Sequence, residues 1–413
     1  MLPTRPRPAL LGSAAPDARA ALAQRRGLPG WLLGLLLGAG LVFAISQPAQ
    51  AQPAGKTAQA ASPHKAQRKA KKLPVTVTQR PASVRREQDA DGAIYGQRPD
   101  AMALANTLAE RHGLDAAWAQ AQLAQARYLP SVARLIMPPP AGTAKNWAAY
   151  RARFIEPVRI RAGAAFWAAN EGWLSAAEQR YGVPAAVVVG IIGVETFYGR
   201  ITGNYRVLDA LATLSLDFPA GRKDRSEFFR NELGQFLRLA MTEHLPVTDV
   251  LGSFAGAIGL GQFMPGSINR FAVDFDGDGQ IDMANSLPDV IGSVAHYLAE
   301  HGWQRGQPSH FGIKPPTDSS QRALLLVPDI LPSFSAAQMA AHGAVLDGAG
   351  QAHTGPLALV ELQNGDAAAS YVAGTQNFYA VTRYNWSSYY ALAVIELGQA
   401  VAAVHAAGQA AAR

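Results

Sequence analysis

The chain has 413 residues, 49% of them hydrophobic and 16% charged, which suits one large or two ordinary globular domains and excludes a fibrous or wholly disordered protein. It contains no cysteine, which excludes disulfides, thiol chemistry and a lipid anchor on an acylated cysteine. The formal charge of +7 is uneven: residues 1–72 hold 11 Lys/Arg against one acid, Asp17, so the rest carries −3 and has no basic stripe of the kind nucleic acid needs.

Residues 1–51 read as an export signal. Arg25 and Arg26 precede an apolar run over 31–45, and Ala49-Gln50-Ala51 gives a small-x-small cleavage pattern. The run is short for a membrane span of about 20 residues, so a soluble periplasmic protein is expected, with a retained amino-terminal anchor as the alternative. Residues 52–96 are rich in Ala, Pro and Lys/Arg and read as a basic, flexible linker that would favour anionic envelope surfaces.

From residue 97 the pattern is helical. Caps and apolar spacing predict helices over 100–111, 114–128, 147–154 and 162–181, with turns at Leu129-Pro130 and over 137–140. The stretch 183–200 predicts a helix buried on most of its surface. Pro184 suits its first turn, residues 185–194 carry no polar side chain, and Gly199 offers a stop. Further helices are predicted over 207–214, 227–243 and 289–300. Beyond Gln307 the character changes: short apolar runs at 323–327 and 357–362, and aromatic-polar alternation over 376–383, predict strands. An Ala-rich helix over 389–407 follows. The expected fold is mainly α, with one body over 97–408 and a small strand-containing subregion at about 308–385.

Glu195 is the first ionisable residue of the apolar run. A carboxylate there loses hydration and its pKa rises, as a general acid at neutral pH requires. A structural pairing with Arg200 or Arg206 is the other reading. Asp274-Phe-Asp-Gly-Asp-Gly-Gln-Ile-Asp has carboxylates at alternate positions, glycine sixth and a backbone carbonyl seventh, like the start of an EF-hand loop. Asp274, Asp276, Asp278, the Gln280 carbonyl and Asp289 are therefore candidate ligands for a structural Ca²⁺. Position twelve departs from the pattern, with Asn285 in place of a bidentate glutamate. Upstream, Gly252-Ser-Phe-Ala-Gly-Ala-Ile-Gly-Leu-Gly-Gln-Phe-Met-Pro lets backbone approach a ligand closely, with Ser253 and Gln262 as hydrogen-bonding groups; tight helix packing with Ser253 as a cap is the alternative. The 14 residues from Asn377 to Tyr390 hold six aromatics around Arg383 and Asn385, a composition suited either to stacking on sugars or to a plain aromatic core.

Together these stretches resemble the lytic murein transglycosylase B family, a lysozyme-like group that cleaves bacterial peptidoglycan. The resemblance runs from about residue 101 to 402. It rests on Gly190-Ile-Ile-Gly-Val-Glu-Thr-Phe-Tyr-Gly, Leu208-Asp-Ala-Leu-Ala-Thr-Leu-Ser, the glycine-rich stretch, the calcium-type loop and Arg383-Tyr-Asn. It implies a lysozyme-like α+β catalytic domain in which Glu195 is the single acid/base. It also implies that Tyr150, Ser253, Gln262, Tyr297, Tyr384, Asn385 and Tyr390 line the glycan groove. Relatives often carry Arg-Trp after Glu-Thr, where this chain has Phe197-Tyr198, and many are lipoproteins, which this chain cannot be.

The implied reaction breaks the β-1,4 bond between N-acetylmuramic acid and N-acetylglucosamine and closes a 1,6-anhydro ring on the muramoyl sugar without consuming water. The rival readings are a hydrolytic muramidase and a non-catalytic peptidoglycan-binding scaffold. Peptidoglycan strands are the expected partner of a monomer working beside other cell-wall enzymes, with no organic cofactor and no nucleic acid.

Overall fold

A computed structural model describes residues 92–138 and 145–412, so the expected export signal, the linker up to residue 91 and Pro139-Pro140 of the expected turn lie outside the described residues. Local chemistry sets most helix ends. Helix α1 (Pro99–His112) begins on a proline, which needs no amide hydrogen there, and stops at Gly113 with φ 67°. Helix α2 (Ala116–Leu123) is capped by Asp115, which accepts from Trp118 N at 2.7 Å. It is shorter than the expected 114–128 helix, because Arg127 leaves to bridge Ile94. Then come α3 (Pro130–Leu135), α4 (Trp147–Ala152), α5 (Pro157–Ala169) and α6 (Glu171–Tyr181). The single helix expected over 162–181 is thus two. Asn170, at φ −122° and ψ 20°, breaks the backbone, and its amide folds back onto Phe166 O at 2.8 Å.

Helix α7 (Ala185–Thr196) carries the apolar run, with Pro184 just outside it in the cap position. It ends earlier than Gly199, because Phe197 and Tyr198 take left-handed φ values of 52° and 58°. Strand β1 (Tyr205–Arg206), α8 (Val207–Leu216), α9 (Ser226–Thr242), β2 (Leu251–Gly252), α10 (Pro265–Phe271) and α11 (Leu287–Glu300) follow. Strands β1 and β2 pair antiparallel, Tyr205 opposite Gly252.

The remaining elements are β3 (His310–Lys314), α12 (Ser319–Leu326), α13 (Ala336–Ala341), β4 (Val345–Leu346), α14 (Gly348–Gln351), β5 (Ala358–Asn364), β6 (Ala367–Gly374), α15 (Gln376–Tyr384) and α16 (Ser388–Ala412). The four strands form one antiparallel sheet in the order β4-β3-β6-β5, with His310 and Ala358 both opposite Gly374. Strand β5 is the run expected at 357–362. Two other expected strands are helices. Residues 323–327 lie largely in α12, started by the Asp318 side chain on Ser320 N and Gln321 N. Residues 376–383 lie in α15, capped by Thr375, and its buried residues, among them Phe378 and Val381, make one face of a helix.

The main core is organised on α7, where Val187 to Val189, Ile191 and Ile192 are buried. Its principal cover is α16, and the two helices touch backbone to backbone. A Cβ on Gly190 would lie 2.2 Å from Val394 O, and one on Gly398 would lie 2.1 Å from Ala186 O. Helix α16 is long and apolar enough to cross a membrane, but it serves here as a core helix. A second apolar cluster, Phe311, Leu325, Met339, Leu346, Leu357 and Leu359 among it, packs beneath the four-stranded sheet.

Candidate active site

Glu195 sits in the last turn of α7, half-buried. Its Oε1 accepts the Tyr390 hydroxyl at 2.7 Å, and Tyr390 is itself buried at the start of α16. Burial pushes the Glu195 pKa up from 4.5 to about 7, against the smaller downward effect of the Tyr390 hydrogen bond. Among the described residues it makes no ion pair. Arg206 pairs with Asp209 at 3.3 Å, and Arg200 lies over the Phe197 ring, 4.6 Å from its centroid. The structural pairing considered for Glu195 is therefore not made.

Tyrosines surround the carboxyl. Tyr384 stacks on Tyr390 with ring centroids 6.3 Å apart and planes 10° apart, and its hydroxyl donates to Gly261 O. Burial, then the Glu195 charge, hold both phenols well above their ordinary pKa, so both remain hydrogen-bond donors. Tyr150, on α4, feels the same charge, and its pKa is pushed up to about 12, mainly by burial. It packs on Trp147, Phe154 and Tyr389, with centroids 5.1 to 6.3 Å away. Tyr297 stands behind Tyr384, centroids 5.0 Å apart, with its hydroxyl engaged by Arg383 O at 2.7 Å.

The glycine-rich stretch is tied to the acid helix through Thr196, whose hydroxyl donates to Leu260 O at 2.9 Å. Gln262, left-handed at φ 52°, donates its amide to Thr202 O and Gly259 O at 3.1 and 2.8 Å. That leaves its carbonyl oxygen as the end open to a ligand. Asn385 Oδ1 is buried without a hydrogen-bond partner among the described residues. Ser253 differs: its oxygen accepts from Ala255 N and Ala257 N at 3.3 and 3.0 Å and shapes its own turn. The structure thus gathers Glu195, Tyr150, Tyr384, Tyr390 and the Gln262 loop, and it gives Ser253 loop contacts only. Sequence reasoning passed over Thr196, Phe263, Trp147 and Tyr389, which pack around this group. Thr196 carried the signal of adjacency to the acid, and Phe263 and Tyr389 lay in the glycine-rich and aromatic stretches, whereas Trp147 carried none.

In the acidic loop, carboxylate oxygens of Asp274, Asp276 and Asp289 lie within 4.8 Å of one another. Asp289 is buried, and its two oxygens accept from Phe275 N and Asp282 N at 2.8 and 2.9 Å; burial raises its pKa. Three hard oxygen donors, with no cation beside the buried one among the described residues, fit a calcium ion. Asp278 falls outside this group, its oxygen accepting from Gln280 N at 2.9 Å. Asn285 is turned toward Asp282 at 2.9 Å.

The comparisons with known proteins agree with one another. A family model for the transglycosylase SLT domain matches residues 96–399. The membrane-bound lytic murein transglycosylase B of Escherichia coli (strain K12) is 40% identical over 319 residues, 75% of this chain and 85% of that protein. The Escherichia coli lytic transglycosylase Slt35, solved in complex with calcium, is 39% identical with a TM-score of 0.66, over 76% of this chain and 96% of that one. SltB3 from Pseudomonas aeruginosa, solved in complex with NAG-anhNAM-pentapeptide, is 30% identical with a TM-score of 0.61, over 74% of this chain and 79% of that one. By sequence and by fold, this chain belongs to the transglycosylase SLT-domain family.

Proposed function

We infer from the family and the site together that the chain is a lytic transglycosylase that cleaves peptidoglycan, with Glu195 as its only acid/base. The observation that carries the role of Glu195 is a lone carboxyl with a pKa near 7. Among the described residues no second carboxylate acts on it, whereas ordinary glycosidases use a pair. Protonated Glu195 donates to the oxygen linking N-acetylmuramic acid to N-acetylglucosamine as the C1–O bond breaks. The muramoyl acetamido oxygen meets the positive charge left at C1. Glu195, now ionised, accepts the proton of the same sugar's C6 hydroxyl while that oxygen attacks C1 and closes the 1,6-anhydro ring. The anhydro sugar bound by SltB3 supports this product.

Around the acid, Tyr390 holds the carboxyl, and Tyr150, Tyr384, the Gln262 carbonyl and Asn385 offer sugar-facing groups. Tyr297 supports Tyr384 from behind, and Ser253 shapes the loop. Asp274, Asp276 and Asp289 would hold a structural Ca²⁺, in line with the calcium complex of Slt35. The ion would pin the loop and takes no part in the reaction. A periplasmic site of action fits a glycan substrate and an exported chain.

The test is mass spectrometry of muropeptides released from purified peptidoglycan by wild type and Glu195→Gln. Products one water lighter than hydrolysis products, absent with the variant, are expected. Full-mass reducing ends would mean a hydrolase, and no release by folded wild type would leave a wall-binding protein.

A further inference from the structure

The helix that carries the acid ends in an unusual way. Phe197 and Tyr198, directly after Glu195-Thr196, both lie in the left-handed region, with φ 52° and 58°. Bulky side chains are rare there, and such a pair persists only when its surroundings over-determine it. The surroundings come from one face of α5. Arg159, Gly163 and Phe166, spaced four and three apart, make a single stripe along that helix.

The Arg159 Nη1 donates to Gly193 O at 2.5 Å, a carbonyl of the last turn of α7. The same guanidinium lies over the Phe197 ring at 4.4 Å and the Phe154 ring at 5.3 Å. Tyr198 stacks on Phe166 with centroids 5.4 Å apart. Its hydroxyl fills the space that a Cβ on Gly163 or Gly193 would need, 2.3 and 2.5 Å away. Among the described residues, the guanidinium's hydrogen-bond and ring partners are a carbonyl and two rings, while Glu156, whose Oε1 accepts from Arg159 N at 2.6 Å, acts on this half-buried group by charge. A cation so placed meets the negative end of the α7 dipole and the electron-rich ring faces.

Building on the reading of Glu195 as the acid, we infer that Arg159 is a positioning residue. With Phe197 and Tyr198 it clamps the last turn of α7, which would otherwise fray as helix ends do, and so fixes Glu195 relative to the bond it protonates. No contact with substrate is needed. The clamp governs how often the carboxyl is in place, so its loss shows in turnover and not in binding.

The test measures kcat, KM and Tm on a soluble peptidoglycan chain for wild type, Arg159→Met, Arg159→Lys and Glu195→Gln. Arg159→Met is expected to lower kcat about tenfold to a hundredfold, the scale of a misplaced catalytic group, with KM changed by less than about twofold. Arg159→Lys, which keeps the charge and a donor for Gly193 O but not the planar stack, is expected to recover part of that loss. An Arg159→Met enzyme with wild-type kcat per folded molecule, or a loss expressed as a rise in KM, overturns the inference, whatever happens to Tm. If Arg159→Met does not fold, Phe197→Leu carries the test with the same kcat-only loss expected, and unchanged kcat overturns the clamp. Turnover by Glu195→Gln would remove the acid reading itself. An inert Glu195→Gln beside a fully active Arg159→Met would remove only the clamp.

Discussion

In its proposed role Glu195 must hold a proton near neutral pH, and the fold bears the cost of that. Its pKa rises from 4.5 to about 7 on folding, which corresponds to about 3 kcal/mol against the folded state once both states are ionised. The sign follows from the two values: no penalty below pH 4.5, growth through the interval, and the full penalty above pH 7. Glu195→Gln should therefore match wild type in Tm at pH 4 and exceed it at pH 8; equal Tm values at both would contradict the raised pKa. Tyr390→Phe removes the hydrogen bond that lowers this pKa, so the alkaline limb of the wild-type rate profile should move up by about one pH unit. A limb that stays in place would separate Tyr390 from the titration. The raised pKa of Glu195 was legible because a carboxylate ending an apolar run loses hydration, but its role was not, since an ion pair with a nearby arginine was an equal reading of the same stretch. Its hydrogen bond to Tyr390 was not, since the partner lies 195 residues away. Arg159 was less legible still, because an arginine on a helix has no local signature for what it clamps.

Among the elements, the contact between α7 and α16 is the least tolerant of change. Gly398→Ala places a methyl 2.1 Å from Ala186 O, so the helices must part, at a cost of about 1–3 kcal/mol. Gly408→Ala, farther along the same helix, has nothing within 4 Å and should stabilise by up to about 1 kcal/mol through helix propensity. Denaturant unfolding of the two variants should move in opposite directions. The helices of the main core were readable because their caps and apolar spacing are local. The strands were harder. Strand β6, Ala367–Gly374, is mostly small residues with no strand signal of their own; it pairs with β5 just before it and, on its other edge, with β3 some 60 residues earlier. Residues 376–383 alternate well enough for a strand, but Thr375 starts a helix there and Phe378 turns into the core.

At the scale of the molecule, the acidic loop is coupled to the helix that leads into α7. Phe275 lies between Asp274 and Asp276 in the chain and packs on Trp173 and Tyr181 of α6, with centroids 6.1 Å away in both cases. Calcium at about a hundredfold its dissociation constant should stabilise the protein by about 2.7 kcal/mol, about 5 °C in a domain of this size. Chelation, or Asp289→Asn, should abolish the gain, and a Tm indifferent to calcium would remove the ion from the loop. The clustering of Asp274 and Asp276 was legible from their spacing. That Asp289 and not Asp278 joins Asp274 and Asp276 depends on how α11 begins, which spacing alone does not show.

The cover that α16 provides for α7 also sets a timetable. Tyr390 is synthesised 195 residues after Glu195, and at about 5–20 residues per second that is a wait on the order of 10–40 s. Through that interval the most apolar helix of the main core has no lid, and the acid has no phenol to hold it. Without α16 the proposed site is therefore incomplete, and the carboxyl gains its hydrogen bond only when that helix docks on α7.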